Sequence, residues 1–164
     1  MKVFYWNIRG IGNPRSQMEF SNFCRIHKPD FICIAEPMVD FSSIPSHFWL
    51  SLNLTLVAVN DRGSSLPNIL VLCNNLLDPR VICNSSQQIS VQIELDNVTC
   101  LLTFVYAFTN PYTRRQQTLS DLSLNCGPWM GTLILFLDPM KRKVDAPLFN
   151  SLAVISNKCL IFVT

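Results

Sequence analysis

Charge is scarce in this 164-residue chain: Lys, Arg, Asp and Glu make up 15% of it, against roughly 25% in ordinary soluble proteins. Hydrophobic residues reach 49% and mean hydropathy is +0.26, so much apolar surface has to be covered. Long apolar runs are nevertheless missing. The longest are five residues, as in Ile69–Cys73 and Leu133–Leu137, and fall far short of the roughly 18 that a spanning helix needs. A secretory leader needs a basic start and then about 7–15 apolar residues. Here Val3–Trp6 is stopped by Asn7 and Arg9, so the expectation is an intracellular protein. The formal net charge of +2 lacks the strong basic excess of a dedicated nucleic-acid scaffold. Paired cysteine spacing is also absent. The seven cysteines are an odd number, have no CxxC, and several sit in apolar runs where a thiol packs as a small hydrophobe. They read as free thiols in a reducing compartment, the nucleus included, where the sequons at Asn53, Asn84 and Asn97 carry no meaning.

What is present fits one domain, since a chain of this length can bury a core without metal or disulfide staples. Lys2–Ile8 is β-branched and aromatic and ends in the turn formers Arg9–Pro14. Met18, Phe20, Phe23, Cys24 and Ile26 approximate helical spacing up to Pro29, and Asp30–Ala35 reads as a strand buried on both faces. The opening is therefore expected as strand, helix, strand. Phe48–Val59, Asn68–Cys73, Arg80–Cys83, Ile89–Leu95 and Cys100–Phe108 then read as a series of strands in an antiparallel meander. In Ile89–Leu95 the alternation predicts a half-buried strand with a solvent face, turning at Asp96-Asn97. Tyr112–Leu124 predicts a helix and Trp129–Leu137 a last buried strand. Composition shifts at Asp138, which divides the chain into a domain over 1–140 and a divergent tail over 141–164.

Four segments carry a resemblance. Phe4-Tyr5-Trp6-Asn7-Ile8-Arg9-Gly10 resembles the WNxRG opening of LINE-type endonucleases, and Pro29-Asp30-Phe31 through Glu36 resembles their strand that starts PD and ends in a glutamate. Phe104-Val105-Tyr106-Ala107 with Arg114-Arg115 and Leu119 resembles the VYA…RR…LW segment of plant elements, and Gly127-Pro128-Trp129 with Leu133–Asp138 resembles W…GDFN. In order and spacing the chain is similar to the N-terminal part of a plant non-LTR retrotransposon endonuclease. That family belongs to the metal-dependent endonuclease/exonuclease/phosphatase group. The resemblance implies half of a DNase I-like four-layer α/β sandwich, with a mixed, mainly antiparallel sheet and flanking helices.

It also implies a chemistry. A divalent cation, magnesium or manganese, polarises a DNA phosphodiester while activated water attacks in line; magnesium takes hard oxygen ligands and keeps several waters. By resemblance Glu36 and Asn7 hold the metal, and Tyr106 donates to the scissile phosphate as an oxyanion-type contact. Asp138 orients the attacking water, and Arg9, Arg114 and Arg115 contact the phosphate backbone. Each residue also has an ordinary reading. Asn7 and Asp138 are turn formers, Glu36 is a solvated strand end, Tyr106 is a half-buried strand aromatic, and the arginines are a solvated face.

The pattern departs from the family in its last third. Met140 stands where GDFN has asparagine, and its soft thioether suits neither hydrogen bonding nor a hard cation. Ser64–Asn68 replaces a glycine pair, which changes a turn. The closing SDH motif, source of the family's catalytic histidine, has no match after Asp138, and the only histidines are His27 and His47, expected at the surface. The leading expectation is a truncated, degenerate nuclease with little or no activity and a weakly held metal. The alternative is a non-catalytic interaction module in which one sheet, lacking its packing partner, binds another protein. A complete enzyme acting on small phosphoesters is disfavoured by the missing histidine.

Overall fold

The structure is a computed structural model that describes residues 1–95, 98–106, 132–137, 152–156 and 159–163. Strand β1 (Lys2–Asn7), helix α1 (Pro14–His27) and strand β2 (Phe31–Ala35) form the expected opening. The local chemistry explains the helix ends. Asn13 Oδ1 accepts from the Ser16 amide at 2.8 Å, Pro14 occupies the first turn, and Lys28 takes φ 48° to close the last turn onto the Cys24 carbonyl. Phe20 and Cys24 are the residues that α1 buries.

One expected strand divides. Over 48–59 the chain first forms a short helix, α2 (Ser46–Leu50), and only then β3 (Leu54–Val59). Phe48 and Trp49 turn towards Phe20, with ring centroids 6.3 and 5.9 Å away, and Asn53 at φ 55° reverses the backbone between the two elements. Aromatic burial on α1 thus overrides the β propensity of the run. The remaining strands are β4 (Ile69–Asn74), β5 (Arg80–Asn84), β6 (Gln88–Leu95), β7 (Val98–Tyr106), β8 (Thr132–Leu137), β9 (Leu152–Ser156) and β10 (Cys159–Val163). The helix expected over Tyr112–Leu124 and the turn at Asp96-Asn97 lie outside the described residues.

Two sheets result. The first runs β3-β4-β2-β1-β10-β9 and the second β5-β6-β7-β8. β1 pairs in parallel with both β2 and β10, whereas β4 is antiparallel to β2 and to β3. In the second sheet β5, β6 and β7 form the meander and β8 joins in parallel. The segment set apart by composition, 141–164, contributes β9 and β10 to the first sheet, with Leu160 opposite Lys2 and Val163 opposite Tyr5.

One face of the first sheet, carrying Phe4, Ile32, Ile34, Leu70 and Leu72, packs with Phe20, Cys24 and Trp49 of the helices. The other face meets the second sheet in a single core where Tyr5, Phe31, Cys33 and Val71 touch the layer of Ile89, Val91, Leu102 and Phe104. This corrects the expectation of an apolar inner face without a partner. The chain's own β5–β8 sheet covers that face, and the motive for a protein partner there lapses. The Tyr5 hydroxyl reinforces the contact by donating to the Val105 carbonyl at 3.2 Å. β6 also departs slightly from expectation: Ser90 is buried and exchanges a hydrogen bond with Thr103 at 3.0 Å, so the solvent face begins only at Gln92 and Glu94. Among the described residues Cys24, Cys33, Cys73 and Cys100 are free thiols. Burial pushes Cys24 up to about 12 and Cys33 well above its ordinary value, so both stay protonated and act as packing groups. Among the described residues no helix is long and apolar enough to cross a membrane.

Candidate functional site

The C-terminal ends of β1, β2 and β7 meet at one edge of the sandwich. Asn7 ends β1 in register with Ala35, the last residue of β2, so Asn7 and Glu36 emerge side by side. Val3 and Tyr5 point into the core between the sheets, and two-residue alternation puts Asn7 on that same face. From the opposite sheet Tyr106 reaches across, and its hydroxyl donates to Glu36 Oε1 at 2.7 Å.

The backbone holds Glu36 in a conformation that it would not choose alone. Its φ is 51°, a left-handed value, and it precedes a proline, which further restricts it. Two hydrogen bonds fix it there: the Glu36 amide donates to the Asn68 carbonyl at 3.0 Å, and the Glu36 carbonyl accepts from the Gly10 amide at 2.8 Å. Arg9 at φ 49° and Met38 at φ 56° share the left-handed geometry, and Gly10 at φ 103° occupies a region open mainly to glycine. Clustered strain of this kind is held only where the surrounding bonds determine it. Gly12 matters for a different reason, because a Cβ there would stand 2.8 Å from Val39 Cγ1.

Burial raises the Tyr106 hydroxyl to about 12, the hydrogen bond to Glu36 and the nearby carboxylate charge add to this, and Arg62 and Arg9 oppose it. The phenol therefore remains a donor at neutral pH. Arg62, which donates to the Leu66 carbonyl at 2.9 Å, and Arg9 are both exposed and lie close enough to act on Tyr106 electrostatically. The sequence offered only a turn at Asn60–Gly63. Arg62 becomes visible as part of the rim once the β3–β4 connection is known to end beside Tyr106.

Residues present at the site fit a hydrated hard cation. Asn7 Oδ1 is buried and has no hydrogen-bond partner among the described residues, which is costly for an amide oxygen unless something else engages it. Glu36 adds a carboxylate, and its one recorded side-chain bond uses Oε1 only. No cluster of three or more His, Cys, Asp or Glu exists among the described residues. One carboxylate plus one amide oxygen, with water completing the shell, is what magnesium accepts. Gln87 Oε1 is a second buried oxygen with no partner among the described residues. The Gln87 carbonyl accepts from the Tyr106 amide at 2.9 Å, so the pair are opposite neighbours and their side chains share the inner face. Sequence reading missed Gln87, because an alternating strand gives no sign of which residue stands opposite the tyrosine.

Other expected residues are placed elsewhere. His27 packs against Phe23 and Phe4, with centroids 4.5 and 5.7 Å away, near the end of β1 remote from Asn7. His47 is exposed on α2. Neither reaches the site. Asp138, Arg114 and Arg115 lie outside the described residues; Leu137, which precedes Asp138 in the sequence, is in register with Tyr106.

No family model matches the chain, and no curated protein matches it by sequence. Solved structures do match by shape. The endonuclease domain of TRAS1, a telomere-specific non-LTR retrotransposon, is similar with TM-score 0.59 and 11% identity over 82% of this chain and 57% of its own. D. rerio TDP2 complexed with a single-strand DNA product gives TM-score 0.57 at 11% identity, covering 82% of this chain and 58% of that one. The 3′ phosphatase NExo from Neisseria bound to a product DNA hairpin gives 0.52 at 11% identity, covering 82% and 56%. The chain therefore has the DNase I-like α/β sandwich fold and spans somewhat over half the length of these structures.

Proposed function

We propose that this chain is a nuclease-type phosphodiesterase domain of LINE retrotransposon descent, acting on DNA with magnesium or manganese and turning over slowly. The observation that carries the reading is the Tyr106–Glu36 hydrogen bond of 2.7 Å beside the partnerless Asn7 Oδ1. Glu36 and Asn7 would hold the cation, which when bound supplies Lewis-acid polarisation of a phosphoryl oxygen. On substrate binding Tyr106, kept protonated by burial, would turn its one hydroxyl proton from Glu36 to a non-bridging phosphate oxygen, leaving the carboxylate to the cation, and Arg9 and Arg62 neutralise backbone charge at the rim. Asp138 would orient water, with Arg114 and Arg115 extending the phosphate contact. A reducing compartment such as the nucleus suits the free thiols.

Calorimetric titration with magnesium and manganese chloride should show weak binding in the unaltered chain and none in Glu36→Ala. The same affinity in both proteins would remove Glu36 from the metal site and leave the reading without its anchor.

A further inference from the structure

One amide ties the two halves of this site together. Asn60 follows β3, is 3% exposed, and uses its whole hydrogen-bonding capacity. Its Oδ1 accepts from the Asn68 amide at 3.0 Å and the Ile69 amide at 2.9 Å, while its Nδ2 donates to Asn68 Oδ1 at 2.6 Å and to the Ser86 carbonyl at 2.7 Å. The first three bonds stay within the first sheet and the fourth crosses to the second. Asn68 is the residue whose carbonyl receives the Glu36 amide, and Ser86 precedes Gln87, whose carbonyl receives the Tyr106 amide. Both members of the Glu36–Tyr106 pair are thus suspended from the same side chain through one intervening peptide each. A second, exposed bridge runs alongside, where Asn84 Nδ2 donates to the Val59 carbonyl at 2.8 Å and its Oδ1 accepts from the Asp61 amide at 3.2 Å.

We infer that Asn60 is a positioning residue that sets the distance between Glu36 and Tyr106, and so the geometry in which a cation and a phosphate are received. This rests on the metal-site reading for its functional consequence. The mechanical part stands on the hydrogen bonds alone. Hydrophobic contact between the sheets is non-directional and tolerates sliding, whereas a left-handed Glu36 and a tyrosine on opposite sheets must be held to within a few tenths of an ångström. A fully satisfied buried amide supplies that direction.

The test uses Asn60→Asp, which keeps the shape and both acceptor functions but loses the two donor functions, including the one that crosses between the sheets. Amide hydrogen exchange at Glu36 and Tyr106 should quicken at least tenfold, and manganese affinity should fall about tenfold, although no atom of Asn60 is at the site. The control Thr103→Ser alters an equally buried polar group on the outer face of the second sheet and should leave both readings unchanged. Should Asn60→Asp fail to fold, Asn84→Ala cuts the exposed parallel bridge and should move both quantities the same way by a smaller factor. Unchanged exchange at both amides overturns the positioning role whatever the metal does. Faster exchange with manganese affinity unchanged also overturns it, provided Glu36→Ala abolishes binding. If Glu36→Ala leaves binding intact, the metal reading itself has failed, and the inference fails with it as a functional claim.

Discussion

Supercoiled plasmid incubated with this chain and magnesium is expected to stay essentially intact over a period in which an active DNase I-like nuclease linearises it. The expectation follows from what stands at the site. His27 is packed on Phe23 and His47 is exposed on α2, so neither imidazole stands beside Glu36 and Tyr106. General-base catalysis contributes on the order of 10²–10⁴-fold, and on the proposed reading Met140, a soft thioether, stands where the resemblance implies an asparagine. On the proposed reading, turnover is expected to lie several orders of magnitude below that of an enzyme with a histidine base, with slow nicking dependent on Glu36 and Tyr106 remaining. Met140→Asn should help little, because it restores a contact without a base. Supplying in trans a segment that carries the SDH histidine should help far more. Rapid cleavage by the unaltered chain, lost in Glu36→Ala, would mean that another group acts as base.

The second large effect is on stability. Phe104 is fully buried on β7, its ring centroid 6.3 Å from that of Tyr5 across the gap between the sheets. Phe104→Ala would remove the ring from that core and should cost about 3–5 kcal/mol. Against a typical total of roughly 5–15 kcal/mol this takes away much of the stability, and urea unfolding should show a correspondingly lower midpoint. Phe23→Ala, on the half-buried helix side, should cost distinctly less. A loss at Phe104 below about 1 kcal/mol would show that the two sheets are not pressed together as described.

The parts of the fold that the sequence made legible are those where one local signal dominates. Met18, Phe20, Phe23, Cys24 and Ile26 at helical spacing mark α1, the continuous apolar run Phe31–Ala35 makes a strand buried on both faces, and Ile89, Val91 and Ile93 alternate on the β6 core face. Phe48–Val59 misled because its aromatic half finds a better environment against α1 than in a sheet. The missing-partner expectation failed for a broader reason: strand pairing across long separations has no local signature, so nothing in Arg80–Asn84 announces that β5–β8 will fold back over β1–β4. The site divides similarly. Asn7, Glu36 and Tyr106 stand at strand ends that can be read from turn formers and motif order. Asn60, Arg62 and Gln87 acquire their places only through tertiary neighbours, and the left-handed φ of Glu36 is imposed by bonds to Asn68 and Gly10.

Paramagnetic broadening by manganese tests the metal-site reading most directly. In an isotope-labelled chain, substoichiometric manganese should first erase the amide signals of Asn7, Ile8, Glu36, Gln87 and Tyr106. The signals of Lys2, Asp30 and Leu76 should persist, because they belong to the other end of strands whose residues rise about 3.3 Å each, where the Lys2 amide bonds the Asp30 carboxylate. Broadening centred on Asp30 or Asp78, or spread evenly over the surface carboxylates, would contradict the account and place the cation away from the Glu36–Tyr106 pair.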